Sequence, residues 1–430
     1  MTFVRGRLAV AGALALGVGL TGCATVPAPG GAQAAEPQDT SQTLRIMGPD
    51  FPYTEATVEE FRRRHPDVSV EYVEGGVSFE DGSAQTMLRS GQGPDVLMVN
   101  SGPGRVGLLA EAGLITPLGD LYAEHGLEER YRPDVLEQIR AGANGGGEIF
   151  EIVEGLDVFQ VYYNEEIFAE HGLEVPTAYD ELLDACATLR EAGVRPLLAG
   201  VRDNFAGGWL LGTLVQASAG AQAMREIIYD DEPFDQDAVV RAAEMLTELI
   251  DNGCIDAGQA AALDGAQAEA GFWRGNGAMV VQPQGPIIEE RHDGADVSHF
   301  GAFPMPPVDP TDPARPTAGL ALSWIASNST RSASAVEAWL AWVSSEDYLA
   351  LTAENGGTLV PAQVVPDGIE VAPAIRDALD KTADGSGYNP SVYLNEAAKQ
   401  AWYDAVQGLI SGSAEPAPAM RAVEDARATN

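Results

Sequence analysis

Only two lysines, Lys381 and Lys399, occur in 430 residues. Lys and Arg together number 25 against 64 Asp and Glu, which leaves a formal charge of −39. A chain so short of cations has no basic face for nucleic acid or for an anionic membrane surface. The simpler reading of the imbalance is solubility and a bias toward Ala, Gly, Asp, Glu and Arg; adaptation to salt is the alternative. Cysteine is nearly absent as well, with Cys23, Cys186 and Cys254 alone. Two thiols in the body and five scattered histidines give no zinc spacing, so no metal is expected. Cys186 and Cys254 can form a disulfide in an exported chain, or each can be a small buried hydrophobe. No G-x-S-x-G elbow, H-E-x-x-H pair or P-loop occurs. No motif therefore supplies a nucleophile, base or cofactor cradle at fixed spacing, and neither enzyme nor cofactor is expected. No apolar run reaches the ~18 residues of a comfortable membrane span.

The longest apolar run, Leu8 to Leu20, follows Arg5 and Arg7 and ends in Leu20-Thr21-Gly22-Cys23. This reads as a bacterial lipoprotein signal peptide over 1–22, with Cys23 lipidated and becoming the new N-terminus. The chemistry needs a thiol for the lipid and small residues for the peptidase. Ala24 to Gln42 is Ala, Pro, Gly, Gln and Ser with almost no large apolar residue, so 23–42 reads as a flexible tether. The expected location is the outer face of the cell membrane, held by the lipid. The remaining ~390 residues suffice for two or three domains.

From Thr43 the chain alternates strand and helix. Thr43–Met47 is a strand, a helix with Val58 and Phe61 inward follows, and His65-Pro66-Asp67 stops it. Val68–Val73 is the next strand, a helix with Met87 and Leu88 ends at Gly91, and Pro94–Val99 is the third strand. Such a β-α-β-α-β run implies a parallel sheet with right-handed crossovers, and ligands sit beyond its carboxyl strand ends. Those ends are Asp50 to Tyr53 and Asn100-Ser101. Gly102-Pro103-Gly104-Arg105-Val106-Gly107 fits the dinucleotide fingerprint G-x-G-x-x-G with Asp120 further on. In a chain with 48 glycines we read it as a small-residue loop at a cleft.

Gly155 to Gly200 begins as a strand through Val158, Phe159, Val161, Tyr162 and Tyr163. Asn164 caps a short helix with Ile167 and Phe168 inward, Gly172 breaks it, and Pro176 opens the next. That helix aligns Leu182, Leu183, Cys186, Leu189 and Ala192 on one stripe. The order YYNEEIFAEHGLEVPTAYDELLDAC resembles the family-1 extracellular solute-binding proteins, the sugar-type receptors of ABC importers. SGQGPDVLMVN, EAGLITPLGDL and the FWRGNGAMVV turn are similar to that family too.

The resemblance implies an α/β, two-lobed periplasmic-binding-protein-like fold, each lobe a mainly parallel sheet flanked by helices, joined by hinge crossings. It implies 43–153 with 303–358 as lobe 1, and 154–302 with 359–430 as lobe 2. The first hinge falls in GGGEIFEIVEGLDVFQVYYN, where Glu151 and Val153 stand in place of the family's small residue and Pro. The Pro-rich Ala302–Pro310 is the expected second crossing, Thr317–Ala326 a strand of the first lobe, and Val360-Pro361 the third crossing. The implied function is capture of a sugar or oligosaccharide by a monomeric receptor that delivers it to an ABC permease. A non-sugar solute such as a polyol or polyamine, or an exported carbohydrate-active enzyme, are the alternatives. Candidate ligand residues are Asp50, Tyr53, Asn100 and Ser101 from the first lobe, with Gly319 as close backbone. From the second they are Trp209, Gln284, Gly285 and Tyr388. Asp50, Asn100 and Gln284 can bond hydroxyls, and Trp209 or Tyr388 can cover an apolar ring face.

Overall fold

The computed structural model describes residues 39–76, 82–142, 146–202 and 205–428. The expected leader, Cys23 and most of the expected tether lie outside the described residues. The end of that tether is pinned. Asp39 bridges Ser332, and the amides of Thr40 and Ser41 donate to the Arg331 carbonyl at 2.8 and 2.7 Å.

The strands are β1 (Thr43–Gly48), β2 (Ser69–Glu74), β3 (Val96–Asn100), β4 (Ile152–Val153), β5 (Gly155–Asn164) and β6 (Leu197–Leu198). They continue with β7 (Met279–Gln282), β8 (Phe300–Phe303), β9 (Thr317–Leu320), β10 (Leu322–Ala326), β11 (Val360–Pro361) and β12 (Gly387–Tyr388). Two sheets result, in the orders β2-β1-β3-β10-β4 and β12-β9-β5-β7-β6, with β8 and β11 also on β5. β1, β2 and β3 are parallel, as the β-α-β-α-β reading requires. The expectation of mainly parallel sheets does not extend to β5, which runs antiparallel to β7, β8, β9 and β11.

Each sheet carries its own core. In the first lobe Trp339 is fully buried and edge-on to Phe61 at 5.1 Å and to Trp324 at 5.4 Å. In the second, Trp402 meets Phe234 edge-on at 5.6 Å. Asn164 caps the helix Glu165–Glu170 by accepting from the Ile167 amide at 3.0 Å. Cys186, on the helix Tyr179–Glu191, is bonded to Cys254, so the open choice is resolved in favour of the disulfide.

Two chain passages run from one sheet into the other side by side. β4 continues into β5 through Glu154, and β9 continues into β10 through Ala321. The Glu154 amide donates to Leu322 at 2.9 Å and the Ala321 amide to Gly155 at 3.0 Å, so the ladder hardly breaks. This corrects the second crossing. β8 still pairs with β5 through Val161 and Phe303, so Ala302–Pro310 is no passage between lobes. Thr317–Ala326 is two strands, the first half on β5 and β12 and the second on β3 and β4. A third passage, β11, lies on Gly155 and Leu156. A Cβ on Gly155 would stand 2.6 Å from Leu359 Cβ and 2.7 Å from the Val360 carbonyl oxygen. Only glycine fits where the three passages meet.

Candidate functional site

The site is built along the passage from β4 into β5, where a carboxyl recurs every third residue: Glu151, Glu154 and Asp157. Charged residues inside an otherwise apolar buried run are the informative exception to burial rules. Burial pushes the Glu151 carboxyl up to about 7, although the Ser101 and Ser323 hydroxyls beside it act the other way. Glu151 Oε2 and both hydroxyls lack a hydrogen bond of normal geometry among the described residues. Burial also lifts Glu154 to about 7, against the phenols of Tyr53 and Tyr348, which donate to its Oε1 at 2.7 and 2.9 Å. Asp157 rises to about 6 for the same reason, with the Gln284 amide against it.

Several of the expected residues gather here. Tyr53 is buried against Glu154, and Phe51 stacks on it at 5.2 Å. Ser101 is fully buried beside Glu151. Gly319 lies opposite Asp157 in the β9–β5 ladder, in the second sheet and not in the first lobe as expected. Gln284 is also fully buried, but its amide is used internally. Oε1 accepts from the Val158 amide at 2.8 Å, and Nε2 donates to the carbonyls of Thr358 at 2.8 Å and Leu156 at 3.3 Å. Gly285 follows as the first residue of the helix Gly285–His292. Asp50 stands exposed beyond the end of β1, and Asn100 is the exposed last residue of β3, opposite Leu322.

Trp209 and Tyr388 are set apart from this row. Trp209, near the start of the helical segment Phe205–Tyr229, which is broken by a kink at Gly220, is half-buried and tilted against Phe159 at 5.3 Å. It lines a small recess at the ends of β6 and β7 with Ala199, Gly200 and Gln282. Gln282 is buried and neither atom of its amide has a partner among the described residues. Tyr388 belongs to a trio with Tyr229 and Tyr393, all edge-on at 5.7–6.2 Å. The first lobe reaches that trio from the helix Pro133–Gly142. Glu137 pairs with Arg225 at 2.5 Å, Arg225 lies over Tyr229 at 5.7 Å, and Tyr393 donates to the Gln138 side chain.

The lobes also touch at the glycine loop. Gly102 has φ +119, and a Cβ there would stand 2.5 Å from the Val392 carbonyl oxygen. The dinucleotide-like glycines thus serve close packing between lobes. Carboxyls, amides and hydroxyls with unfilled bonding capacity, beside aromatic faces, suit a polyhydroxylated neutral molecule. Among the described residues no three His, Cys, Asp or Glu are placed to hold a metal ion, and no helix is long and apolar enough to cross a membrane.

Glu151, Glu154, Asp157, Gln282, Tyr229 and Tyr393 were not among the residues expected from sequence. The acidic row was visible as charges in an apolar strand; the tyrosine trio was not, since Tyr229 comes from a segment about 160 residues before Tyr388 and Tyr393.

Residues 48–350 match the family described as bacterial extracellular solute-binding protein. An osmoprotective compounds-binding protein of Synechocystis is 26% identical over 207 residues, 47% of this chain and 45% of that protein. An alpha-glucosides-binding periplasmic protein of Rhizobium meliloti is 27% identical over 234 residues, 52% of this chain and 50% of that protein. The chain thus matches about half the length of these curated relatives. A solved chitin oligosaccharide binding protein shares the fold at a TM-score of 0.76 and 21% identity, covering 91% of this chain and 98% of its own. The family is one of solute binders rather than catalysts. With the match spanning most of both lobes, the chain belongs to the bacterial extracellular solute-binding proteins.

Proposed function

We propose that the protein is a lipid-anchored receptor of an ABC importer, monomeric, which captures a sugar or oligosaccharide by closing its two lobes at the paired passages. The observation that carries this reading is the row Glu151, Glu154 and Asp157 where the lobes join, with underused polar atoms and aromatic faces on both sides. Solute contacts made in both lobes favour the closed state only by their difference in affinity between open and closed. The names of the glucoside- and chitin-binding relatives support a sugar. The osmoprotectant-binding relative keeps a smaller polyol-like solute as the second reading.

A thermal-shift screen over sugars and polyols tests this. A binder present at 100 times its Kd raises stability by about 2.7 kcal/mol. No shift with any carbohydrate, or conversion of one to product, would overturn the proposal. Trp209→Ala is expected to weaken the sugar found in that screen by about 1–3 kcal/mol, as loss of an aromatic anchor does. Titration calorimetry on the folded variant reads it, and unchanged affinity would leave Trp209 as packing for Phe159. Cys23→Ser is expected to keep the fold and release the protein from the membrane fraction. Wild-type protein with no lipid mass on residue 23 would refute the anchor.

A further inference from the structure

Side chains alternate along β5, so Gln160 and Tyr162 face away from Val161 and Tyr163. On their side lies a recess of about 520 Å³ between the helix Gly285–His292, strand β8 and the helix Pro373–Lys381. None of the candidate cleft residues lines it. Ile287, Ile288, Val297 and Phe300 make its walls, and Ala374 stands at its edge on the last helix. The size and the apolar lining fall within the usual range for small-molecule sites.

Three polar features mark it as more than a packing gap. Tyr162 is 2% exposed and lines the recess, and its phenol makes no hydrogen bond with the described residues. Asp377, also in the lining, takes Lys381 Nζ at 2.7 Å and Gln160 Nε2 at 3.4 Å on Oδ2, which leaves Oδ1 for another donor. Gln160 is fully buried and its Oε1 is unpartnered. A phenol that can donate beside a carboxylate oxygen that can accept is the complement of one hydroxyl group.

The charges at the recess balance. Arg291 and the neighbouring Lys381 oppose Asp296 and Asp377. In a chain of −39 this is an unusually neutral locality, and it favours neither an anion nor a cation. We propose that the recess is a second binding site, separate from the cleft, for a small neutral amphiphile that places a hydroxyl between Tyr162 and Asp377.

Titration calorimetry of the full chain with 1-monooctanoylglycerol, kept below its aggregation concentration, tests this. One saturable site is expected. Tyr162→Phe should weaken it about fivefold, the size of one hydrogen bond. It should leave the melting temperature of the free protein unchanged, because the phenol has no protein partner to lose. Ala374→Trp should fill the recess and abolish the heat, whereas Trp209→Ala should bind as wild type does. Octanoate at pH 8 should bind more weakly than the glyceride. No saturable heat with wild type, equal affinity in Tyr162→Phe, or tighter octanoate would each overturn the proposal. Those readouts decide it even if Ala374→Trp does not fold.

Discussion

Replacing both Cys186 and Cys254 with alanine is expected to lower the unfolding free energy by about 4 kcal/mol, the loop entropy released by a bridge that spans 68 residues. Both side chains are buried, so alanine avoids the unsatisfied hydroxyl that serine would bring. The bridge ties the helix Tyr179–Glu191 to the turn after the helix Asp237–Asp251. From that turn the Cys254 carbonyl accepts the Leu197 amide at 3.0 Å, so the bond also steadies the entry to β6. Urea unfolding of wild type, reduced wild type and the double variant reads the effect. The two thiol-free or reduced forms should agree with each other. A loss below about 1 kcal/mol would mean that the unfolded chain is little constrained by the bridge.

Glu151→Gln is expected to do the reverse, adding about 2–3 kcal/mol at pH 8 and little at pH 4.5. The folded carboxyl is held up at about 7 by burial, above its ordinary value of 4.5. Below that ordinary value both folded and unfolded chains carry the proton, and the group costs nothing. Between about 4.5 and 7 the unfolded chain releases its proton and the folded chain keeps it, so stability falls as pH rises. Above about 7 the folded state holds a buried charge and the whole cost is present. Glutamine has no charge to bury, and its amide can use the Ser101 and Ser323 hydroxyls. Paired denaturation curves at the two pH values test this, since the difference between variant and wild type cancels the general repulsion of an acidic chain. Equal effects at both pH values, or destabilisation at pH 8, would remove Glu151 as the source.

Much of this architecture can be read locally. β1, β2 and β3 follow from short alternating runs, and the Asn164 cap and the tryptophan-bearing helix Ala333–Val343 follow from residue type and spacing. Where pairing between distant segments decides, the sequence is silent. TAGLALSWIA is one mainly apolar stretch. Its division at Ala321 is set by β5 and β3, each more than 150 residues away along the chain. The same limit governs side chains. Gln284 is the right residue type for a hydroxyl, yet three backbone groups claim its amide. Asp50 lies past the end of β1 and Asn100 closes β3, but exposure is a property of the assembled lobes. Tyr388 and its near neighbour Tyr393 meet Tyr229 only after two distant segments have folded together.

The double strand β9–β10 also bears on the order in which the molecule can be completed. β10 sits between β3 and β4, and β9 between β12 and β5. A chain that has emerged only as far as residue 300 therefore lacks an interior strand in both sheets. Its first lobe then holds β2-β1-β3 with the apolar edge of β3 open, and β4 has no neighbour. Long-range pairings of this kind are slow to form, and uncovered edges invite wrong partners. Ten residues, Thr317 to Ala326, supply the missing interior strand of both sheets almost at once. Assembly should be late and concerted, so a newly made chain stays unfinished for most of its synthesis. A destabilising substitution in that segment would then slow folding of both lobes together, which is the kinetic signature of a shared strand pair.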